Sequence, residues 1–234
     1  MTPGLDISRI RAICFDLDGT LVDTDDAYVR KVSHYLRPVR RILPQMNPDV
    51  VSRKAVLAGE GPTNKLLGVL DALHLDEALR PILNGLHYMR GESRGDQVDL
   101  IPGVRTMLNT LFPDYPLAIV TAREKFSADE ILSQLELSAF FQSVVAAGTC
   151  RRTKPHPAPI LFAALQMDVP VEACLMVGDT TVDILAGKAA GAQTVGVLCG
   201  FGEQEELVRS GANHILHSTD EIVDLLSSPT LSSI

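Results

Sequence analysis

Beyond Leu100 the sequence alternates between short apolar runs and stretches of helical periodicity, and this alternation constrains the fold more than any other feature. The apolar runs at 116–120, 143–146, 173–177, 193–198 and 214–216 read as strands. Between and after them, 103–111, 127–135, 157–166, 181–190, 203–210 and 219–226 read as helices. Repeated β-α units predict a doubly wound parallel sheet with helices on both faces. In such α/β folds ligands gather at the carboxyl ends of the strands, near the point where strand order reverses. One further strand is predicted near the N-terminus, where Ile13-Cys14-Phe15 breaks into Asp16-Leu17-Asp18-Gly19-Thr20.

The segment between these two parts has a different texture. Residues 23–99 contain no convincing strand. Tyr28, Val32, Tyr35 and Leu36 recur at helical spacing, Asn47-Pro48 reads as a helix start, and Leu66, Leu67, Leu70 and Leu73 mark a further helix. Gly59-Glu60-Gly61-Pro62-Thr63 breaks the pattern, and residues 91–98 read as a linker. The predicted organisation is therefore an α/β core of residues 1–22 and 100–234, interrupted by an all-helical insertion of residues 23–99.

Charge follows the same division. The segment 23–99 balances its acidic and basic residues, so the net charge of −8 resides in the rest of the chain. An acidic body disfavours nucleic acid as a partner. Arg30, Lys31, Arg37, Arg40, Arg41, Arg53 and Lys54 read for the most part as solvated helix faces. The four cysteines are scattered without a C-x-x-C pair, which suggests reduced thiols and a cytoplasmic setting. Residues 1–7 lack the features of a secretory signal, and no apolar stretch is long enough to span a membrane.

Four separated pieces carry candidate chemistry. Asp16 and Asp18 place two carboxylates at the end of the first strand, where repulsion and desolvation call for a cation or a shared proton. Gly19 permits close backbone approach, and Thr20 adds a hydroxyl. Thr121 follows Ile119-Val120, leaving a hydroxyl and the backbone of Ala122 and Arg123 at a strand end. Lys154 precedes Pro155, in backbone expected to be extended. Asp179 ends the strand at 173–177, and Asp183 stands one helical turn later. Each piece also has an ordinary reading: an Asp-rich turn, a strand-terminal Thr, a surface Lys, and a helix cap with an acidic first turn.

Taken in order, the four pieces resemble the four motifs of the haloacid dehalogenase-like hydrolase superfamily, over residues 16–183. The resemblance implies that Asp16 is a nucleophile that becomes phosphorylated and Asp18 a general acid and base. It implies that Thr121 and Lys154 bind the phosphoryl group. Mg²⁺ would be held by Asp16, Asp179 and the backbone carbonyl of Asp18, with Asp183 behind them. Thr20, Ala122 and Arg123 are expected at the substrate. The insertion resembles the helical cap of the phosphoglycolate phosphatase and β-phosphoglucomutase branch. Its break at 59–63 offers exposed backbone N–H groups and a helix start, so Glu60 and Thr63 are expected at the substrate, the ordinary reading being an interhelical loop whose glycines only make a turn.

The implied activity is hydrolysis of a small phosphorylated metabolite by a monomer or homodimer. A sugar phosphomutase would share the whole core, but those relatives carry a catalytic His where this chain has Tyr28, with His34 the nearest histidine. A dehalogenase fits poorly because Asp18 supplies a second carboxylate. A phosphoacceptor receiver module, from a different class, also uses paired Asp, Thr and Lys, but it places the acceptor on a later strand and has no helical insertion.

Overall fold

The computed structural model describes residues 4–23 and 98–227. The chain divides into two units, Met1–Asp23 with Val98–Ile234, and Thr24–Gln97. The described residues belong to the first. The expected positions of Tyr28, His34, Glu60 and Thr63, with the rest of the predicted helical insertion, lie outside the described residues.

Six parallel strands form one sheet in the order β5-β4-β1-β6-β7-β8. They are β1 (Ala12–Phe15), β4 (Leu117–Glu124), β5 (Ser143–Ala147), β6 (Cys174–Gly178), β7 (Gln193–Val197) and β8 (His214–Leu216). A separate antiparallel pair, β2 (Val22–Asp23) and β3 (Asp99–Leu100), matches Val22 with Leu100 and Asp23 with Asp99. This pairing keeps Asp23 and Asp99 with the sheet unit.

The strand order follows from what each face must bury. All four residues of β1 are buried, so it needs cover on both sides. Ile13 and Phe15 join Leu117, Ile119, Leu175 and Val177 on one face. Ala12 and Cys14 join Ala118, Val120, Cys174 and Met176 on the other. The larger residues face α1 (Val104–Leu111), α2 (Lys125–Gln134) and α6 (Ile222–Ser227). Val104, Met107, Leu108 and Leu111 form the apolar stripe of α1 at helical spacing. The smaller face accepts α3 (Ala158–Gln166) and α4 (Thr181–Ala190), whose contacts are Ile160, Ala163, Ala164, Ala186 and Ala190. Each fully buried Leu, Ile or Phe contributes about 1.5–3 kcal/mol. A smaller cluster joins Ile184 of α4 to Leu207 of α5 (Gln204–Ser210) and to Ala212.

Chain order reverses at β1, with β4 on one side and β6 on the other. Two elements depart from expectation. Residues 219–221 form a 3-10 turn before α6 rather than its first turn. Strand β4 does not end at Thr121 but continues to Glu124 with a break in register. Val120 pairs with Val145 and Glu124 with Ala147, so residues 121–123 stand opposite Ala146 alone. The extra residues bulge at the carboxyl end of the sheet, as is common beside functional sites. Among the described residues, no helix is long and apolar enough to cross a membrane.

Candidate active site

The ladder of the central strand continues one residue past β1, with Asp16 N–H donating to Val177 O at 2.9 Å. The chain then turns. Gly19 adopts φ +72, and its N–H donates to Val22 O at 2.9 Å. A side chain on Gly19 would be strained by that φ and would overlap the Asp179 carboxylate. The strand therefore stops before Asp18, and the two carboxylates of the first motif enter different surroundings.

Asp16 faces a buried cluster. Its Oδ1 lies 2.9 Å from Lys154 Nζ and accepts from Leu17 N–H at 2.8 Å. Lys154 Nζ also donates to Asp183 Oδ1 at 2.6 Å and to Val120 O at 2.8 Å. Side-chain exposure is 3% for Lys154, 12% for Asp16 and 0% for Asp183. Lys154 reaches inward from a turn in which His156 N–H donates to Thr153 O at 3.0 Å. Asp183 Oδ2 accepts from Thr180 N–H at 3.1 Å and Thr180 Oγ1 at 2.7 Å. The ordinary reading of this segment as a helix cap is thus realised, and the capping carboxylate also holds the lysine.

Asp179 is fully buried. Its Oδ1 accepts from Thr20 Oγ1 at 3.1 Å and its Oδ2 from Phe201 N–H at 2.9 Å. Thr20 turns its hydroxyl onto Asp179 and is itself fully buried. A buried hydroxyl needs a partner, and the carboxylate is within reach. The loop 199–202 after β7 was not singled out by sequence. A Cβ on Gly200 would overlap the Asp179 carboxylate, and Cys199 Sγ donates to Gly19 O at 3.5 Å. Thr219 Oγ1 donates to Thr20 O at 2.5 Å, tying the first loop to a turn 199 residues away. The signal available in the sequence was Gly200-Phe201-Gly202 directly after a predicted strand, a pattern that permits close backbone approach.

Asp16, Asp179 and Asp183 each offer an oxygen within 4.8 Å of the others. Burial and the Asp183 charge push the Asp16 carboxyl up to about 7, although Lys154 pulls it down. Burial alone would lower the Lys154 ammonium, but Asp16 and Asp183 more than reverse this by charge and hydrogen bonding. Lys154 pairs with Asp16 and Asp183, and Asp179 completes the oxygen set beside them. These hard oxygen donors suit Mg²⁺. The side chain of Asp18 is not in this group.

Asp18 lies outside the buried cluster, with 27% side-chain exposure. Arg123 Nε donates to its Oδ1 at 3.1 Å and Oδ2 at 2.8 Å, and Arg123 Nη2 also donates to Oδ1. Arg123, expected at the substrate, thus directs its guanidinium to Asp18. Its backbone N–H donates to Thr121 Oγ1 at 3.1 Å. Thr121 is buried and Ala122 is exposed beside it in the bulge. Sequence could not join Asp18 to Arg123 across 105 residues.

The family profile for haloacid dehalogenase-like hydrolases matches residues 13–197. The chain is 29% identical over 223 residues to a pyrophosphatase PpaX of Anoxybacillus flavithermus, covering 93% of this chain and 97% of that one. It is 28% identical over 236 residues to a phosphoglycolate phosphatase of Escherichia coli K12, covering 94% of each. Among solved structures it resembles a predicted phosphoglycolate phosphatase from Haemophilus somnus, with TM-score 0.70 and 23% identity, over 93% of this chain and 98% of that one. A putative β-phosphoglucomutase from Thermotoga maritima aligns with TM-score 0.67 and 23% identity, over the same shares.

Proposed function

The chain belongs to the haloacid dehalogenase-like hydrolase family, and from that membership we propose that it is a Mg²⁺-dependent phosphatase of small phosphomonoesters. The observation that carries this reading is the buried arrangement in which Lys154 lies 2.9 Å from Asp16 and 2.6 Å from Asp183, beside Asp179. It supports a reading in which Asp16 is the nucleophile, Lys154 binds the phosphoryl group, and the carboxylate oxygens hold the cation.

Asp16 would attack phosphorus through a carboxylate oxygen, forming the Asp16–phosphorus bond as the ester oxygen leaves. Asp18 would protonate the departing alkoxide, then take a proton from the water that attacks the acyl phosphate. That attack breaks the Asp16–phosphorus bond, restoring the carboxylate and releasing phosphate. Lys154 and the Thr121 hydroxyl would hold equatorial phosphoryl oxygens. Thr20 and Phe201 N–H orient Asp179, while Thr180 orients Asp183. When bound by Asp16, Asp179 and the Asp18 carbonyl, with Asp183 behind, Mg²⁺ supplies the positive charge that lets two anions meet.

This machinery recognises a phosphoryl group and leaves the rest of the substrate open. Phosphate release should therefore be measured with phosphoglycolate, sugar phosphates, nucleotides and pyrophosphate in the presence of Mg²⁺. Turnover of at least one, abolished by EDTA and restored by Mg²⁺, is the expected result. Interconversion of sugar phosphates without phosphate release would favour the mutase reading, and activity unaffected by EDTA would overturn the Mg²⁺ requirement.

A further inference from the structure

We propose that Arg123 is a positioning residue for Asp18, setting how efficiently the leaving group is protonated, and this inference rests on the phosphatase reading. The geometry at the β4 bulge carries it. Asp18 follows the end of a strand, precedes a glycine with φ +72, and keeps about a quarter of its side chain exposed. A short carboxylate in such a place has rotamer freedom unless something holds it. Arg123 Nε reaches both of its oxygens, at 3.1 and 2.8 Å, and Nη2 adds a third contact. The planar guanidinium therefore fixes the orientation of the carboxylate as well as its charge environment.

Arg123 is itself held through both its backbone and its guanidinium. Its backbone N–H donates to Thr121 Oγ1 at 3.1 Å, and Nη1 donates to Ser127 Oγ at 3.2 Å in the first turn of α2. The first contact belongs to the bulge in which residues 121–123 oppose Ala146 alone. With regular pairing, this stretch would follow the sheet instead of turning toward the loop of Asp18. The bulge thus links a phosphoryl-binding hydroxyl, Thr121, to the orientation of the proton-transfer carboxylate through one residue. A cation that only bound substrate would have no need of this fork.

The test separates positioning from binding. Arg123→Ala and Arg123→Lys should be assayed in single turnover with an alkyl phosphomonoester and with p-nitrophenyl phosphate, in Mg²⁺. The alkyl ester needs a proton on its leaving group, whereas the aryl ester does not. Arg123→Ala should slow Asp16 phosphorylation by the alkyl ester ~10- to ~100-fold and by the aryl ester less than ~3-fold, with KM nearly unchanged for both. Arg123→Lys retains charge without the fork and should stay within ~3-fold of Arg123→Ala. Ser127→Ala, which frees one end of the guanidinium, should give a loss of the same kind of about 2- to 5-fold, and it keeps the test open if Arg123→Ala folds poorly. A rise in KM for both esters that lysine repairs would make Arg123 a substrate ligand and overturn the proposal. Equal phosphorylation rates in wild type and Arg123→Ala on both esters would also overturn it while leaving the phosphatase reading intact. Failure of wild type to phosphorylate Asp16 with any ester would instead remove the reading on which the proposal rests.

Discussion

The first motif sends its two carboxylates into opposite kinds of environment. Asp16 joins a buried network with Lys154 and Asp183, whose side chains are 3% and 0% exposed. Asp18, two residues later, pairs with Arg123 at an edge where both side chains are about one quarter exposed. Burial makes the first network costly to disrupt, because removing one partner leaves an uncompensated charge in a low-dielectric site. Exposure makes the second pair contribute little to stability, since water screens it. The buried network is therefore suited to hold fixed charge around a phosphoryl group. The exposed pair is suited to a group that must exchange protons with substrate and water.

Asp16→Asn gives the sharpest break in this comparison. Turnover should fall by roughly 10⁴-fold or more, because the nucleophile is gone. Stability without Mg²⁺ at neutral pH should hold or rise, since burial and Asp183 already disfavour the ionised form of Asp16. Rapid-quench mass spectrometry should find phosphate on the wild-type protein and none on the variant. Label on another residue of wild type would reassign the nucleophile.

Lys154→Ala should lower activity by about 10²- to 10³-fold through loss of the phosphoryl donor. Unlike the preceding change, it should also destabilise the protein by roughly 3–5 kcal/mol in EDTA, because Asp16 and Asp183 then lose the cation between them. Urea unfolding would measure this, and an unchanged midpoint would mean the cluster tolerates its charge by another route.

Asp18→Asn should slow Asp16 phosphorylation by alkyl phosphates about 10²-fold, with a smaller effect on aryl phosphates. Its stability change should stay within about 1 kcal/mol, as the pair with Arg123 is partly solvated. Equal losses with both ester types would argue against proton transfer by this residue.

The smallest effect concerns pH. In metal-free protein the Asp16 carboxyl is raised from 3.8 to about 7, by burial first and Asp183 second. Its stabilising contribution is complete below the unfolded value and is lost as pH rises through about 7. A divalent cation that binds the carboxylate offsets that loss. The difference in melting temperature between Mg²⁺ and EDTA should therefore widen from about pH 5 to about pH 8. A constant difference would show that the cation does not engage this group.

Much of the architecture was legible because it depends on local pattern. The helix at 181–190, which ends at Gly191, and the strand at 214–216 have the predicted bounds. The end of β4 was not legible. Ala122, Arg123 and Glu124 look like loop residues, and only the pairing of Glu124 with Ala147 beyond a bulge extends the strand. The 3-10 turn at 219–221 was read as helix because its composition does not distinguish the two, whereas its Thr219 contact to the first loop does.

The sequence by itself determined the α/β pattern and the ends of the strands from which Asp16 and Asp179 emerge, because periodicity and turn chemistry act over a few residues. Tertiary structure alone decided which partner each charged or hydroxyl group meets. Lys154 reaches Asp16 and Asp183, Thr20 serves Asp179, and Arg123 holds Asp18. These pairings depend on angstrom-scale distances between segments far apart in the chain. They are set by strand order, by the bulge in β4, and by the need of buried polar groups to find partners once water is excluded.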